Sequence, residues 1–517
     1  MNASPPTVET RLAGPRGKHD STSGLTTLVT AAVLASILMP AATRAATPIA
    51  SGTPTSLPSY SGARWKAKSV KAKKPPQNKH MATNGRSNVH NDSWMSDTYW
   101  AKGPLGITPD TLSSAIGRVC ITVTFDRKNR LVATCSSLAG PRLFMFNPKT
   151  LDVLAEFDLP FVAPPPTQDP TTNSSGGSYF YLDNKDRAVI ATADSHIWVV
   201  AEAKSSAPAG FVLQQDYDLT SIIPADDRLT SALPDWAGNI WFISRYHGTV
   251  GVLNPATSAL HSIVLNEEIE NSFAIDKQGV YIVSDKQMYR FDLDATGTPS
   301  VTWSVTYENS GVTKPGQFNA GSGTTPTLLQ GGFVAITDNA DPMNVVVYRT
   351  AATLPTGQSR VVCEVPVFAA GASCTENSLI GAGASLIVEN NYGYKLATTS
   401  NGAVTTPGLA RVDINSDGNG CHLVWTNSTE RAPSVVPKAS VKNGLIYTFT
   451  KDPDPVNTTA DAWFWTALDF QTGATVWKQL AGTGSGYNNH YAGIVIGKDG
   501  TAYVGAVGGL LAIRDHK

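Results

Sequence analysis

Ser272-Phe-Ala-Ile-Asp276, Gly279-Val-Tyr-Ile-Val-Ser284, Gln287-Met-Tyr-Arg-Phe-Asp292 and Val301-Thr-Trp-Ser-Val-Thr-Tyr307 follow one another with only short polar turns between them. Each run is short and rich in β-branched and aromatic residues, and Asp, Gly, Ser and Lys fill the breaks, as in a strand-turn-strand meander. Four such strands with their connections make a unit of roughly 50 residues, and one sheet of that size cannot bury both faces alone. The opening phrase recurs as Thr122-Val-Thr-Phe-Asp126, Ser178-Tyr-Phe-Tyr-Leu-Asp183, Ser231-Ala-Leu-Pro-Asp235 and Ser272-Phe-Ala-Ile-Asp276. It continues as Thr327-Leu-Leu-Gln330, Ser378-Leu-Ile-Gly381, Ser434-Val-Val-Pro437 and Gly493-Ile-Val-Ile-Gly497. Eight units predict an all-β fold, an eight-bladed β-propeller of four-stranded antiparallel blades over residues 92–517. The last unit ends after its third strand, Gly509-Leu-Leu-Ala-Ile-Arg514. An N-terminal strand near Thr98–Ile107 is expected to close the ring and remove the open edge.

Composition agrees with this reading. The 517 residues include 44 Gly and 33 Pro with only 16% charged side chains, which disfavours long helices, and the 41% apolar content suffices for a large core. The net charge of −1 hides an asymmetry: residues 46–91 carry eight basic and no acidic side chains, whereas from Asp92 onward 28 basic face 39 acidic. An acidic body lacks the extended basic face that nucleic-acid binding needs, so no nucleic-acid partner is expected.

The start of the chain reads as an address. Arg11, Arg16 and Lys18 precede an uncharged, mostly apolar stretch from Leu25 to Ala42, followed by Thr43-Arg44-Ala45. This pattern predicts a secretory signal peptide over 1–45 and a secreted, extracellular protein, with an uncleaved anchor as the competing reading. Residues 46–91 are expected to be a disordered basic linker, with His90 solvated at its end. Its run from Arg64 to Lys79 also admits weak tethering to an anionic surface. Five cysteines in an exported chain predict disulfides, Cys120 with Cys135 and Cys363 with Cys374, unless Cys421 displaces a member of the second pair.

One repeat is specific enough to suggest kin. Ala467-Leu-Asp-Phe-Gln-Thr-Gly-Ala-Thr-Val-Trp477 resembles the A-L-D-x-x-T-G-x-x-x-W repeat of quinoprotein alcohol dehydrogenase-like eight-bladed propellers. The resemblance implies that Gly473 sits in the turn between third and fourth strands and that Trp477 packs between neighbouring blades. Alcohol dehydrogenases of that family stack their quinone (PQQ) on a disulfide between adjacent cysteines. No Cys-Cys pair occurs here. The resemblance therefore carries the fold across most of residues 110–515 but not the cofactor.

Up-and-down strand order supplies a geometric rule for the site. Loops that enter the innermost strands share one face with loops that join second to third strands. Those positions hold Glu270, Asn271, Glu376, Asn377, Arg431 and His490 before inner strands, and Arg245, His247, Asp338, Glu389, Asn390 and Asn391 after second strands. Each alone reads as a turn-capping residue. Gathered at one concave mouth, they are candidates for shifted pKa values and acid–base work. Glu270, Glu376 and Glu389 are candidate general acids and bases, His247 and His490 candidate proton shuttles, and Arg431 a candidate anion clamp. The carboxylates and Asn carbonyls also suit Ca²⁺. The expected function is acid–base chemistry on a polar small molecule or glycan. A non-catalytic ligand-binding or scaffold propeller and a divergent quinoprotein dehydrogenase are the alternatives.

Overall fold

The computed structural model describes residues 43–163, 171, 176–203 and 209–516. The apolar stretch of the expected signal peptide lies outside the described residues. Eight antiparallel sheets form eight blades. Their innermost strands are, for blades 1 to 8 in turn, Val119–Phe125, Tyr181–Leu182, Leu229–Pro234, Ala274–Ile275, Thr327–Leu329, Ile380–Ala382, Lys438–Ser440 and Val495–Ile496. Every recurrent phrase in the sequence thus overlaps or adjoins an inner strand. Burial follows position: middle strands such as Ile240–Ser244 and Ala462–Asp469 are buried throughout, whereas the outer strand Phe211–Asp218 is mostly exposed. Among the described residues no helix is long and apolar enough to cross a membrane.

The ring is closed by an N-terminal strand, but not by Thr98–Ile107. Pro109–Ala115 pairs antiparallel with Gly509–Asp515 and becomes the outer strand of blade 8. Gly103, Pro104 and Gly106 break any ladder in the preceding residues, and the Leu105 and Ile107 amides donate instead to the Asp515 carboxylate at 2.6 and 2.9 Å. Thr98–Tyr99 pairs parallel with Lys438–Ser440 at the inner edge of blade 7.

The stretch 46–91 is not a free linker. Tyr60–Gly62 adds an outer strand to blade 7 by pairing with Thr475–Thr483. Asp454 accepts from the Thr55 hydroxyl and the Ser56 amide at 2.7 and 2.6 Å. Residues 78–99 then wind around the axis and touch every blade. The Thr124 hydroxyl donates to the Arg86 carbonyl in blade 1, and Ala82 and Ser87 bracket Leu182 in blade 2. The Asn78 amide donates to the Pro234 carbonyl in blade 3. The backbone amides of Ile275, Leu328, Gly381 and Ala439 donate to the carbonyls of Ser93, Trp94, Ser96 and Asp97, and Tyr99 reaches the Ile496 backbone in blade 8. The physical reason is that inner strands of a propeller leave backbone groups unpaired along the channel, and buried backbone groups need partners. A polar composition with few large apolar residues is therefore no sign of disorder here: this axial plug is ordered by hydrogen bonds that the blades offer.

Blade docking follows the repeat motif in part. Gly473 lies in the turn between Ala462–Asp469 and Thr475–Thr483 with φ of 71°, as the resemblance implied. A Cβ there would stand 2.4 Å from the ring of Trp425 in blade 6, whose indole donates to the Phe470 carbonyl at 3.2 Å. Trp477 is fully buried against Tyr447. Cys120 and Cys135 form the expected disulfide between neighbouring strands of blade 1. The second disulfide joins Cys363 to Cys421 and not to Cys374. Cys363 and Cys421 lie on the outer strands of adjacent blades 5 and 6, whereas Cys374 is buried in the loop entering blade 6.

Candidate functional site

The rim rule brings part of the expected set together. A cavity of ≈50 Å³ lies on the axis and is lined by Asn271, Glu376, Asn377 and His490, with Tyr179 and Ser378 beside them and His90 of the plug. Glu270 stands behind it, bound to Arg245 at 3.1 Å, and Arg245 also binds Glu268 at 3.2 Å. Burial, opposed by Arg245, pushes the Glu270 carboxyl up to about 7. Burial and then the Glu270 charge hold Glu376 well above the usual carboxylate range, while the Phe318 amide and Arg245 pull weakly the other way. Neither Glu376 oxygen makes a hydrogen bond of normal geometry among the described residues. Two buried carboxyls near one guanidinium cannot both carry charge. Burial and mutual repulsion favour a proton on this pair, more strongly on Glu376 than on Glu270, which Arg245 holds at 3.1 Å.

Glu389 is further from the cavity. Its Oε1 accepts from Asn377 at 2.7 Å and from Asn391 at 3.2 Å, and burial, opposed by those two amides, keeps its carboxyl high. Asn391 in turn accepts the Glu376 backbone amide at 2.8 Å. Glu389 and Asn391 thus fix Asn377 and the Glu376 backbone. The His490 ring bonds the Tyr394 hydroxyl at 3.0 Å and the Thr171 carbonyl at 2.9 Å.

Eight of the twelve expected residues do not line this cavity: Glu270, Arg245, Glu389 and Asn391, described above, and four more. His247 pairs with Asp226 at 3.2 Å and is partly exposed on blade 3. The Arg431 guanidinium donates to the Thr429 carbonyl. Asp338 accepts from the Asn344 side chain at 2.7 Å and from the Ala340 backbone. Asn390 bonds the backbone of Cys374, Tyr392 and Ala372. Asp338 and Asn390 are held by the turn-capping chemistry that such residues share.

The residue that sequence reasoning missed is His90, which is buried. Its Nδ1 lies 3.1 Å from Asp97 Oδ2 and 2.9 Å from the Ser378 hydroxyl, which itself donates to Asp97. Lys438, also fully buried, pairs with Asp97 and donates to the Val89 carbonyl at 2.5 Å. Burial pushes the Asp97 carboxyl up, but Lys438 and His90 together bring it below its ordinary value. Asp97 therefore stays a carboxylate and accepts the Nδ1 proton, an arrangement that in a neutral imidazole puts the lone pair on Nε2. That nitrogen is buried and makes no hydrogen bond among the described residues. The ring stacks at 6.1 Å on Tyr179, whose hydroxyl donates to Asn271 at 2.7 Å. A signal was present: Ser87-Asn-Val-His-Asn-Asp-Ser-Trp-Met-Ser-Asp-Thr-Tyr99 lacks Lys and Arg, unlike the run before it.

His90, Glu376 and the side chains of Asn271 and Asn377 thus line one cavity. The cavity shares Ile121, Thr171 and His490 with a larger one of ≈610 Å³ that Leu138 and Phe161 also line. Among the described residues no group of three or more His, Cys, Asp or Glu side chains is arranged to hold a metal ion.

No family model matches the chain. It is 27% identical over 308 residues to an uncharacterized protein of Archaeoglobus fulgidus, a match covering 53% of this chain and 58% of that one. The chain thus spans little more than half the length of this relative. Among solved structures it is similar to Chaetomium thermophilum Sqt1 bound to the N-terminus of ribosomal protein L10. That match has 13% identity, 75% of this chain and 94% of that one covered, and a TM-score of 0.44. It is also similar to virginiamycin B lyase from Staphylococcus aureus, with 10% identity, 66% and 94% covered, and a TM-score of 0.34.

Proposed function

We propose that this propeller is an enzyme that carries out acid–base chemistry on a polar small molecule or glycan at the axial cavity. One observation carries the reading: a buried His90, held through Nδ1 by the Asp97 carboxylate, lines the same cavity as a buried Glu376 whose oxygens make no hydrogen bond of normal geometry among the described residues. Such an orienting carboxylate is how a histidine is held as a general base, and a carboxyl kept neutral by burial is how a general acid is held ready. His90 would take a proton from the reacting group, Glu376 would give one to the leaving or developing anion, and Asn271 and Asn377 would orient it. The inner cavity is large enough for the reacting group, and the adjoining one for the rest of the molecule. On this reading the protein is exported, as the N-terminal pattern and two disulfides suggest.

The experiment is a thermal-shift and turnover screen of sugars, lactones, organic acids and Ca²⁺ against wild type, His90→Gln and Glu376→Gln. A ligand that stabilises wild type and is turned over by it, but by neither variant, supports the reading. A ligand that stabilises all three equally refutes it. The scaffold reading draws on the small volume of the inner cavity and expects a bound ligand to persist without turnover. The quinoprotein reading rests on the Ala467–Trp477 repeat alone.

A further inference from the structure

The plug divides the axis, and the end opposite the carboxyl-lined mouth is a second, larger depression of ≈680 Å³. Phe125 and Ile496, at the far ends of inner strands, lie on its wall, and Arg127 and Lys498 come from the loops that leave those strands. These loops are at the other end of the blades from the loops carrying Glu376 and His490. The lining includes Lys74, Lys79, Arg86, Arg127 and Lys498 and no Asp or Glu. That composition stands out in a body where acidic side chains outnumber basic ones.

The cations are not equivalent. Arg86 donates to the Phe125 carbonyl, and Arg127 to the Asn184 carbonyl with Asp186 nearby. Among the described residues Lys74, Lys79 and Lys498 make no ion pair. Their ammonium groups are mobile point charges rather than planar forks, and they suit anionic groups spaced along a ligand more than one phosphate gripped at two oxygens. Trp100, half-buried and held by its indole N–H near the Ala72 carbonyl at 3.5 Å, supplies a flat apolar surface in the same depression. Gln77, Asn84 and Asn184 on its wall donate their side-chain amides to backbone carbonyls, so among the described residues the Asn84, Asn129 and Asn184 side-chain oxygens are the ones placed to accept from a ligand. Regularly spaced carboxylates, hydroxyl groups for these oxygens and an apolar ring face for the indole occur together in an acidic oligosaccharide.

We propose that this depression binds an acidic oligosaccharide, its carboxylates on Lys74, Lys79 and Lys498 and one sugar face on Trp100. The site is independent of the acid–base reading of the other mouth, and its position on the plug would seat the whole propeller on an anionic polymer.

The test is calorimetric titration of the full chain with trigalacturonate, with neutral maltotriose and inorganic sulfate as comparison probes. Lys74→Gln/Lys79→Gln/Lys498→Gln alters exposed side chains only and should fold as wild type, which its melting curve checks. Trigalacturonate is expected to bind wild type, to weaken about tenfold in the triple variant (three exposed charge pairs each worth a factor of about two), and to weaken as salt rises. Trp100→Ala is expected to weaken it again. No binding by wild type, equal binding by the triple variant, or equal affinity for maltotriose overturns the proposal. Sulfate binding as tightly as trigalacturonate overturns the sugar assignment.

Discussion

Asp97→Asn tests whether the plug and the cavity are one structure. Asp97 and Lys438 are both fully buried, and Asp97 also receives the Ser378 hydroxyl and the His90 ring. The asparagine would fill the same space but remove the charge that pairs with the buried Lys438 ammonium. Breaking a buried pair in this way costs about 3–5 kcal/mol, since the remaining charge is uncompensated. With an unfolding entropy of ~2.1 cal/mol/K per residue over the ~460 described residues, ~1 kcal/mol lowers the melting temperature by ~1 °C. The expected fall is therefore about 3–5 °C by calorimetry at neutral pH. Lys438→Met should do similar harm, and the double variant should recover most of it, because a buried pair replaced by neutral groups is close to neutral in stability. The pH dependence has a definite sign. Asp97 titrates below its ordinary value, so its contribution is present above the unfolded carboxylate range and lost as pH falls through the folded value. The gap between wild type and Asp97→Asn should close in acid. A fall under ~1 °C, or a double variant losing the sum of the single losses, would show that the pair does not hold the plug.

Two further outcomes follow from the same contacts. Deleting residues 46–91 should lower the melting temperature by more than Asp97→Asn does, because it strips hydrogen-bond partners from inner strands of blades 1 to 3 and an added strand from blade 7; an unchanged midpoint would return that stretch to the status of a linker. Glu270 and Glu376 titrate above their ordinary values, so the stability linked to them is full below the unfolded carboxylate range and falls as pH rises through the folded values, about 7 for Glu270. Glu376→Gln should therefore flatten the melting-temperature profile above that range, and an unaltered profile would refute the shared-charge account.

The repeat was legible because blade formation is local. Thr327–Leu329 and its neighbours pair with strands adjacent in sequence, and alternating apolar runs such as Gln287–Leu293 state that pairing directly. Closure was legible in principle and displaced in detail, since an unpaired third strand calls for a partner but does not say which nearby residues supply it. The rim residues were legible by position: strand order alone put Glu270, Asn271, Glu376, Asn377 and His490 near one axis.

The plug was not legible, and the reason is physical. Residues 78–99 have no period of their own, because their partners are backbone groups of eight strands scattered from Phe125 to Ile496. A segment ordered by non-local hydrogen bonds carries no hydrophobic pattern, and its Asn, Ser and Asp content imitates a solvated loop. His90 was lost with it, since its role depends on Asp97 seven residues on and on Ser378 and Lys438 from blades 6 and 7. The same non-local burial that hid His90 also explains its chemistry. Because the plug lies along the axis, His90 and Asp97 are buried together with Lys438 of blade 7, and His90 lines the cavity that Glu376 and His490 of the rim loops also line.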